Sequence, residues 1–253
     1  MKPGPLRSGL ALLAALTMVP GWFTEAPGSP RARVRERRFL ERAARAFLRA
    51  VDMRGAPPAG PGTLYVANHM SWLDIPVLAS RLDARFVAKA EVGGWPLIGL
   101  LARRAGTLFV KRERRQEAGA QADAIAERLR RGDSLILFPE GTTSDGTAVL
   151  PFRTSLFAAA AAAICVQPLA ICYRRPDGTA LDGADLAAFA WVDDEPLPPN
   201  AARAARAGLR AEILLQPPIP VDPAESRKSL ADRCRAAVVD AYAAMRAAPN
   251  RSE

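Results

Sequence analysis

Histidine is nearly missing from this sequence. His69 is the one copy among 253 residues, which excludes sites built on several imidazoles, His-rich zinc hydrolases included. Cysteine is scarce as well. Cys165, Cys172 and Cys234 are scattered, odd in number and without a CxxC pair, so neither a zinc knuckle nor a disulfide framework is indicated. Free thiols fit a reducing, cytosol-facing compartment. Aromatic residues make up 6% of the chain and no recognition-helix motif occurs, which argues against nucleic acid as a partner. The N-terminal apolar run, residues 10–23, is short for a membrane span: as a helix it would rise about 21 Å against a bilayer core of about 30 Å.

What is present is an apolar half, 49% of the chain, enough for one α/β domain with an appendage. The formal charge is +9, mostly from arginine. Such a balance attracts anionic partners, from lipid head groups to coenzyme A phosphates or an acidic carrier protein, and does not choose among them. The run at 10–23 reads as a cleaved signal, an interfacial anchor or a core helix. The following segment favours the anchor. Residues 31–54 contain no proline or glycine. Phe39, Leu40, Ala43, Ala44, Phe47, Leu48 and Val51 form one apolar stripe, and Arg35, Arg38, Arg42, Arg45 and Arg49 take much of the remaining surface. That pattern predicts a basic amphipathic helix suited to an anionic membrane, with a solvated helix docked on the domain as the competing reading. The expected layout is a membrane-contacting arm at 1–55, a Pro/Gly-rich linker at 56–62, a catalytic domain at 63–247 and a tail at 248–253.

Beyond the linker, strand-like runs at 64–67, 85–88, 107–110, 134–138, 164–173 and 209–216 alternate with helical stretches at 71–80, 96–104, 116–131, 154–163 and 225–245. The alternation predicts an α/β fold with a largely parallel sheet covered by helices. Residues 174–207 read as a surface excursion with one short strand at 189–192.

Three stretches carry chemistry. In Asn68-His69-Met70-Ser71-Trp72-Leu73-Asp74 a strand ends and a helix opens. Ser71 and Asp74 have capping-box spacing, which leaves His69 in the turn, where the Asp74 carboxylate reaches its ring. A carboxylate beside an imidazole fixes its tautomer and stabilises the imidazolium. No protein nucleophile is evident, so the economical scheme has His69 deprotonate a substrate hydroxyl that attacks an activated acyl carbonyl; the bland alternative makes Asp74 a mere helix cap. The second stretch, Phe138-Pro139-Glu140-Gly141-Thr142-Thr143-Ser144, sets a carboxylate, a glycine and three hydroxyls in a turn. Such a turn suits phosphate or glycerol oxygens, with Arg153 nearby to pair with phosphate, though an ordinary polar turn has the same composition. The third, Gly106 to Arg112, delivers Lys111 and Arg112 to a strand end.

Together and in this order these stretches resemble the lysophospholipid acyltransferase family, typified by 1-acylglycerol-3-phosphate acyltransferases. The matching blocks are Asn68, His69 and Asp74 (NHxxxxD); Gly106, Phe109 and Arg112; Phe138 to Thr142 (FPEGT); and Val166-Gln167-Pro168. The resemblance implies His69 as general base, Asp74 as its orienting partner, and Arg112, Glu140, Gly141 and Thr142 in the acceptor pocket, with Pro168 structural. It implies acyl-CoA or acyl carrier protein as donor, a lysolipid acceptor, no metal, and phospholipid biosynthesis at the cytoplasmic face of the inner membrane, the protein being attached to a surface of anionic lipids. Many phosphatidate-forming members place arginine where this chain has Thr143. The expected acceptor is therefore 1-acylglycerol-3-phosphate with Arg153 or Lys111 replacing that cation, or else lyso-ornithine lipid or another lysolipid. Rival classes are a thioesterase or lipase using Ser71 or Ser144, although no GxSxG elbow is present, and a non-catalytic membrane-binding module.

Overall fold

The runs Leu64-Tyr65-Val66-Ala67 and Leu135-Ile136-Leu137 lack polar alternation, and both are fully buried in the middle of a sheet, as strands covered on two faces must be. A computed structural model of the chain describes residues 5–110, 118–192 and 195–248. Its strands are β1 (Ala50–Gly55), β2 (Thr63–Ala67), β3 (Arg85–Lys89), β4 (Leu108–Val110), β5 (Leu135–Leu137), β6 (Cys165–Arg174), β7 (Arg210–Leu215) and β8 (Ile219–Pro220). The helices are α1 (Pro5–Leu16), α2 (Val19–Phe23), α3 (Pro30–Phe47), α4 (Asp74–Ala79), α5 (Ile98–Arg104), α6 (Ala118–Arg130), α7 (Gly183–Phe189), α8 (Leu197–Ala207) and α9 (Arg227–Ala247).

The sheet runs β1-β7-β6-β2-β5-β3-β4, with β8 also beside β6. Pairing is parallel except where β7 and β8 meet β6. This is the expected α/β architecture. Two features of the register set up the site. Val66 lies opposite Leu137, so β2 and β5 end side by side. On the other side of β2, Ala67 lies opposite Leu169, so β6 continues five residues past the end of its neighbour. Pro168 sits in β6 between the two residues paired to β8 and the stretch paired to β7, where its missing N–H leaves no ladder bond unmade.

The N-terminal third departs from expectation. Ala50–Gly55 is a strand of the sheet, parallel to β7 and fastened by Arg210–Asp52 at 3.2 Å and Arg54–Glu212 at 3.8 Å. The segment 56–62 thus joins two strands of one sheet instead of separating an arm from a domain. The helix in 31–54 stops at Phe47, because Leu48 turns to extended backbone. Its apolar stripe faces inward: Phe39, Ala44, Phe47 and Leu48 are buried, and Phe47 meets Trp72 edge-on at 4.9 Å. The docked reading of that helix holds for the apolar stripe, since burial against α1, α2, α4 and the core removes more apolar area from water than a surface position would. Arg35, Arg38, Arg42, Arg45 and Arg49 remain exposed. Trp22 of α2 stacks on Phe39, and Arg104 of α5 donates to the Trp22 carbonyl at 2.6 Å, tying the N-terminal helices to the body. No helix among the described residues is long and apolar enough to cross a membrane.

Residues 154–163 form two 3₁₀ turns, Thr154–Phe157 and Ala160–Ala162, instead of one helix. The excursion at 174–207 holds α7 and α8, and Phe189, expected to open a strand, closes α7 against Tyr173 at 4.4 Å.

Candidate active site

The parallel strands β2 and β5 end together, and each hands its chain to a turn at the carboxyl end of the sheet, where ligands of open α/β sheets bind. The turn after β2 carries Asn68 and His69. Asn68 extends the ladder by side chain: its amide donates to the Ile171 carbonyl at 3.0 Å and its carbonyl accepts the Ile171 N–H at 2.8 Å. The chain then leaves the sheet, and α4 begins only at Asp74, two residues later than the capping-box spacing suggested.

His69 and Asp74 come together. Nδ1 lies 2.8 Å from Asp74 Oδ2. The same oxygen accepts the N–H groups of Met70 at 2.9 Å and Ser71 at 3.0 Å. The capping and imidazole readings of Asp74 therefore coexist in one carboxylate, which is wholly buried. An ionised carboxylate only accepts, so Nδ1 carries the proton and Nε2 is the free base. Among the described residues Nε2 has no hydrogen-bond partner, and the side chain is 17% exposed. Phe138 stacks on the ring at 4.0 Å and 14°, fixing its plane.

Glu140, expected to bind acceptor, is buried and turned inward. Oε1 accepts the His69 N–H at 2.8 Å and Oε2 the Leu150 N–H at 3.0 Å. Burial pushes its carboxyl up to about 7, against the lowering effect of those two N–H groups. Its visible task is to clamp the backbone of the His69 turn. Gly141 has φ +75°, and a Cβ there would stand 2.6 Å from Arg153 Nε, so the glycine lets the guanidinium lie across the turn. Arg153 is exposed and has no ion-pair partner among the described residues; Thr142 is also exposed. Arg153 and Thr142 face solvent, while Gly141 is buried beneath the guanidinium. Lys111 and Arg112 fall outside the described residues. The Thr143 hydroxyl donates to the Trp191 carbonyl, so it is engaged by protein.

The serines proposed for a hydrolase are also committed. Ser144 donates to the His69 carbonyl at 3.1 Å, and Ser71 accepts the Leu73 N–H at 3.3 Å. Both are buried, and neither contacts the imidazole. Residues that the sequence did not single out include Tyr173, whose hydroxyl lies 2.6 Å from Asp74 Oδ1, and Trp191, whose backbone N–H donates to the Met70 carbonyl at 2.9 Å. Tyr173 ends an apolar run in which nothing local distinguishes a site residue from a core one.

The arrangement suits removal of a proton from a hydroxyl placed at Nε2. Comparison with known proteins shows the family of the chain. Residues 45–172 match the family model described as Acyltransferase. The lyso-ornithine lipid O-acyltransferase of Rhodobacter capsulatus is 42% identical over 195 residues, 74% of this chain and 68% of that protein. The 1-acyl-sn-glycerol-3-phosphate acyltransferase of Neisseria meningitidis serogroup B is 38% identical over 140 residues, 53% of this chain and 54% of that protein. Among solved structures, the 1-acyl-sn-glycerophosphate acyltransferase of Thermotoga maritima superposes with a TM-score of 0.66 over 97% of this chain and 99% of that one, at 20% identity, a likeness of fold.

Proposed function

Because the chain belongs to this acyltransferase family, we propose that it moves a fatty acyl group from a thioester to the free hydroxyl of a lysolipid, with His69 as general base. The observation that carries the reading is the His69–Asp74 contact at 2.8 Å, which leaves Nε2 without a hydrogen-bond partner among the described residues, at the carboxyl end of the central strands. The acceptor hydroxyl gives its proton to Nε2 as its oxygen attacks the thioester carbonyl. The tetrahedral adduct then collapses, and the imidazolium returns the proton to the departing thiolate. Asp74 stays ionised and stabilises the imidazolium between the two steps. The donor is acyl-CoA or acyl carrier protein.

Two acceptors are supported. One is 1-acylglycerol-3-phosphate, giving phosphatidate: Arg153, which has no ion-pair partner among the described residues, lies beside the Glu140-Gly141-Thr142 turn, and a relative carries that name. The other is lyso-ornithine lipid, which a relative of higher identity over a longer stretch supports by its name. Position 143 supplies a hydroxyl already bonded to Trp191, so it adds no cation for a phosphomonoester. The deciding experiment offers the purified chain both lysolipids with labelled acyl-CoA and acyl carrier protein, and identifies products by mass. Release of free fatty acid without acylated lipid would sink the transferase reading.

Membrane attachment belongs to the same proposal. Leu6, Leu10 and Leu13 repeat at helical spacing on α1, and all three are exposed. Arg31, Arg35 and Arg38 of α3, together with Thr17, Met18, Gly21 and Glu25, line an open groove of about 590 Å³. An apolar face together with guanidinium groups suits an interfacial position on anionic lipid, at the cytoplasmic face of the inner membrane.

A further inference from the structure

Asp74 is held from both sides. Three donors, the His69 ring and two backbone N–H groups, converge on Oδ2, and Oδ1 receives the Tyr173 hydroxyl. At 2.6 Å the O···O separation falls in the short range of bonds to ionised acceptors. The direction of donation is unambiguous, because a carboxylate has no proton to give. Tyr173 is wholly buried, and burial together with the Asp74 charge holds its phenol well above the usual range, so it remains a donor throughout the working pH. Its position comes from register: β6 outruns β2, and Tyr173 stands four residues past Leu169, the partner of the last β2 residue. Phe189 packs against its ring and Asn68 is bonded to Ile171 two positions earlier, so strand and ring are both fixed.

We propose that Tyr173 is a positioning residue for the reaction: its hydroxyl locks the Asp74 carboxylate toward His69 and limits how firmly that carboxylate retains a proton on the imidazole. This rests on His69 acting as base. Without the phenol, Asp74 loses its one donor on Oδ1, concentrates charge on Oδ2, and holds the imidazolium more tightly. The base is then free only at higher pH, and the carboxylate is free to rotate. A core tyrosine that merely satisfies its own hydroxyl would have neither effect. The other titratable groups near the pair are Glu140, which accepts the His69 N–H, Cys172 beside Tyr173 on β6, Tyr242 and Arg235 from α9, and Arg153 above Gly141. A change at Tyr173 leaves each of them in place, so comparing variant with parent removes their contribution.

The solitary histidine makes the test direct, since the imidazole carbon-bound proton signals of the whole chain report His69 alone. In Tyr173→Phe the His69 titration midpoint is expected to rise by about 0.5–1 pH unit. The acid limb of kcat/KM should move the same way, with kcat lower by about tenfold and acceptor KM within about twofold of the parent. If Tyr173→Phe does not fold, 3-fluorotyrosine placed at 173 replaces it. A more acidic phenol donates more strongly, and the midpoint should then fall. A natively folded variant with an unmoved midpoint overturns the proposal even if transfer persists in the parent. A moved midpoint in a protein whose parent transfers no acyl group leaves Tyr173 its effect on His69 and overturns the proposed function instead.

Discussion

His69 is the residue on which the proposed chemistry turns, and its neighbours explain the cost of altering it. His69→Ala removes the base and little of the core, so turnover is expected to fall by about 10²–10⁴-fold with the circular dichroism spectrum unchanged. A folded variant with near-normal turnover would remove the mechanism. Asp74→Asn is a harsher change than a cap mutation. An amide has one acceptor oxygen, so its NH₂ must face either the Met70, Ser71 and His69 donors or the Tyr173 hydroxyl. Lower kcat and lower Tm are both expected, with acceptor KM little changed; a rise in KM alone would assign Asp74 to binding. Glu140 adds a pH signature. Its folded pKa of about 7 exceeds the ordinary 4.5, so the fold binds the extra proton between those values. Its contribution is complete below about 4.5 and is lost as pH rises through about 7. Glu140→Gln should therefore flatten the decline of Tm across that window, whatever it does to Tm itself; an identical slope in variant and parent would place the titration elsewhere. Glu36, also buried and also raised to about 7, acts in the same direction and is unaffected by the substitution.

Among the elements, α3 best separates what pattern shows from what packing decides. Its amphipathic period is plain in the sequence, yet the period is silent on whether the apolar stripe meets a bilayer or a protein core. The structure buries it. Phe47→Ala should accordingly cost about 3–5 kcal/mol, read as a lower urea midpoint in lipid-free protein. A stability change of a few tenths would return the stripe to the surface. The elements missed are β1, β8, α7 and α8, and length hid only the first three. β1 buries only Val51, so its existence depends on the partner β7 and not on its own residues. Pro198 and Pro199 read as a loop, whereas at the first turn of α8 they leave no helical bond broken.

For the whole molecule, the exposed leucines of α1 and the arginine-lined groove of α3 are the features on which the proposed membrane attachment rests. Leu10→Ser with Leu13→Ser should weaken binding to anionic vesicles while leaving Tm within about 2 °C, since both side chains are mostly exposed. Raising the salt concentration should weaken binding of the parent only in part, because the apolar contacts are not screened. Equal vesicle partition of parent and double variant, measured by co-sedimentation, would rule this surface out as the attachment site.

The alternation of apolar strands and helices was enough to establish an α/β sheet. The NHxxxxD spacing brought His69 to Asp74 because both lie within one turn and one helix start, where local geometry determines who meets whom. Contacts made across the sheet were beyond such reasoning. Glu140 points at a backbone N–H 71 residues away, and Tyr173 reaches Asp74 across 99, because β5 ends beside β2 and β6 runs past it. Strand order and register are properties of the folded sheet: a one-residue slip would turn Tyr173 to the opposite face and leave Asp74 Oδ1 without its donor.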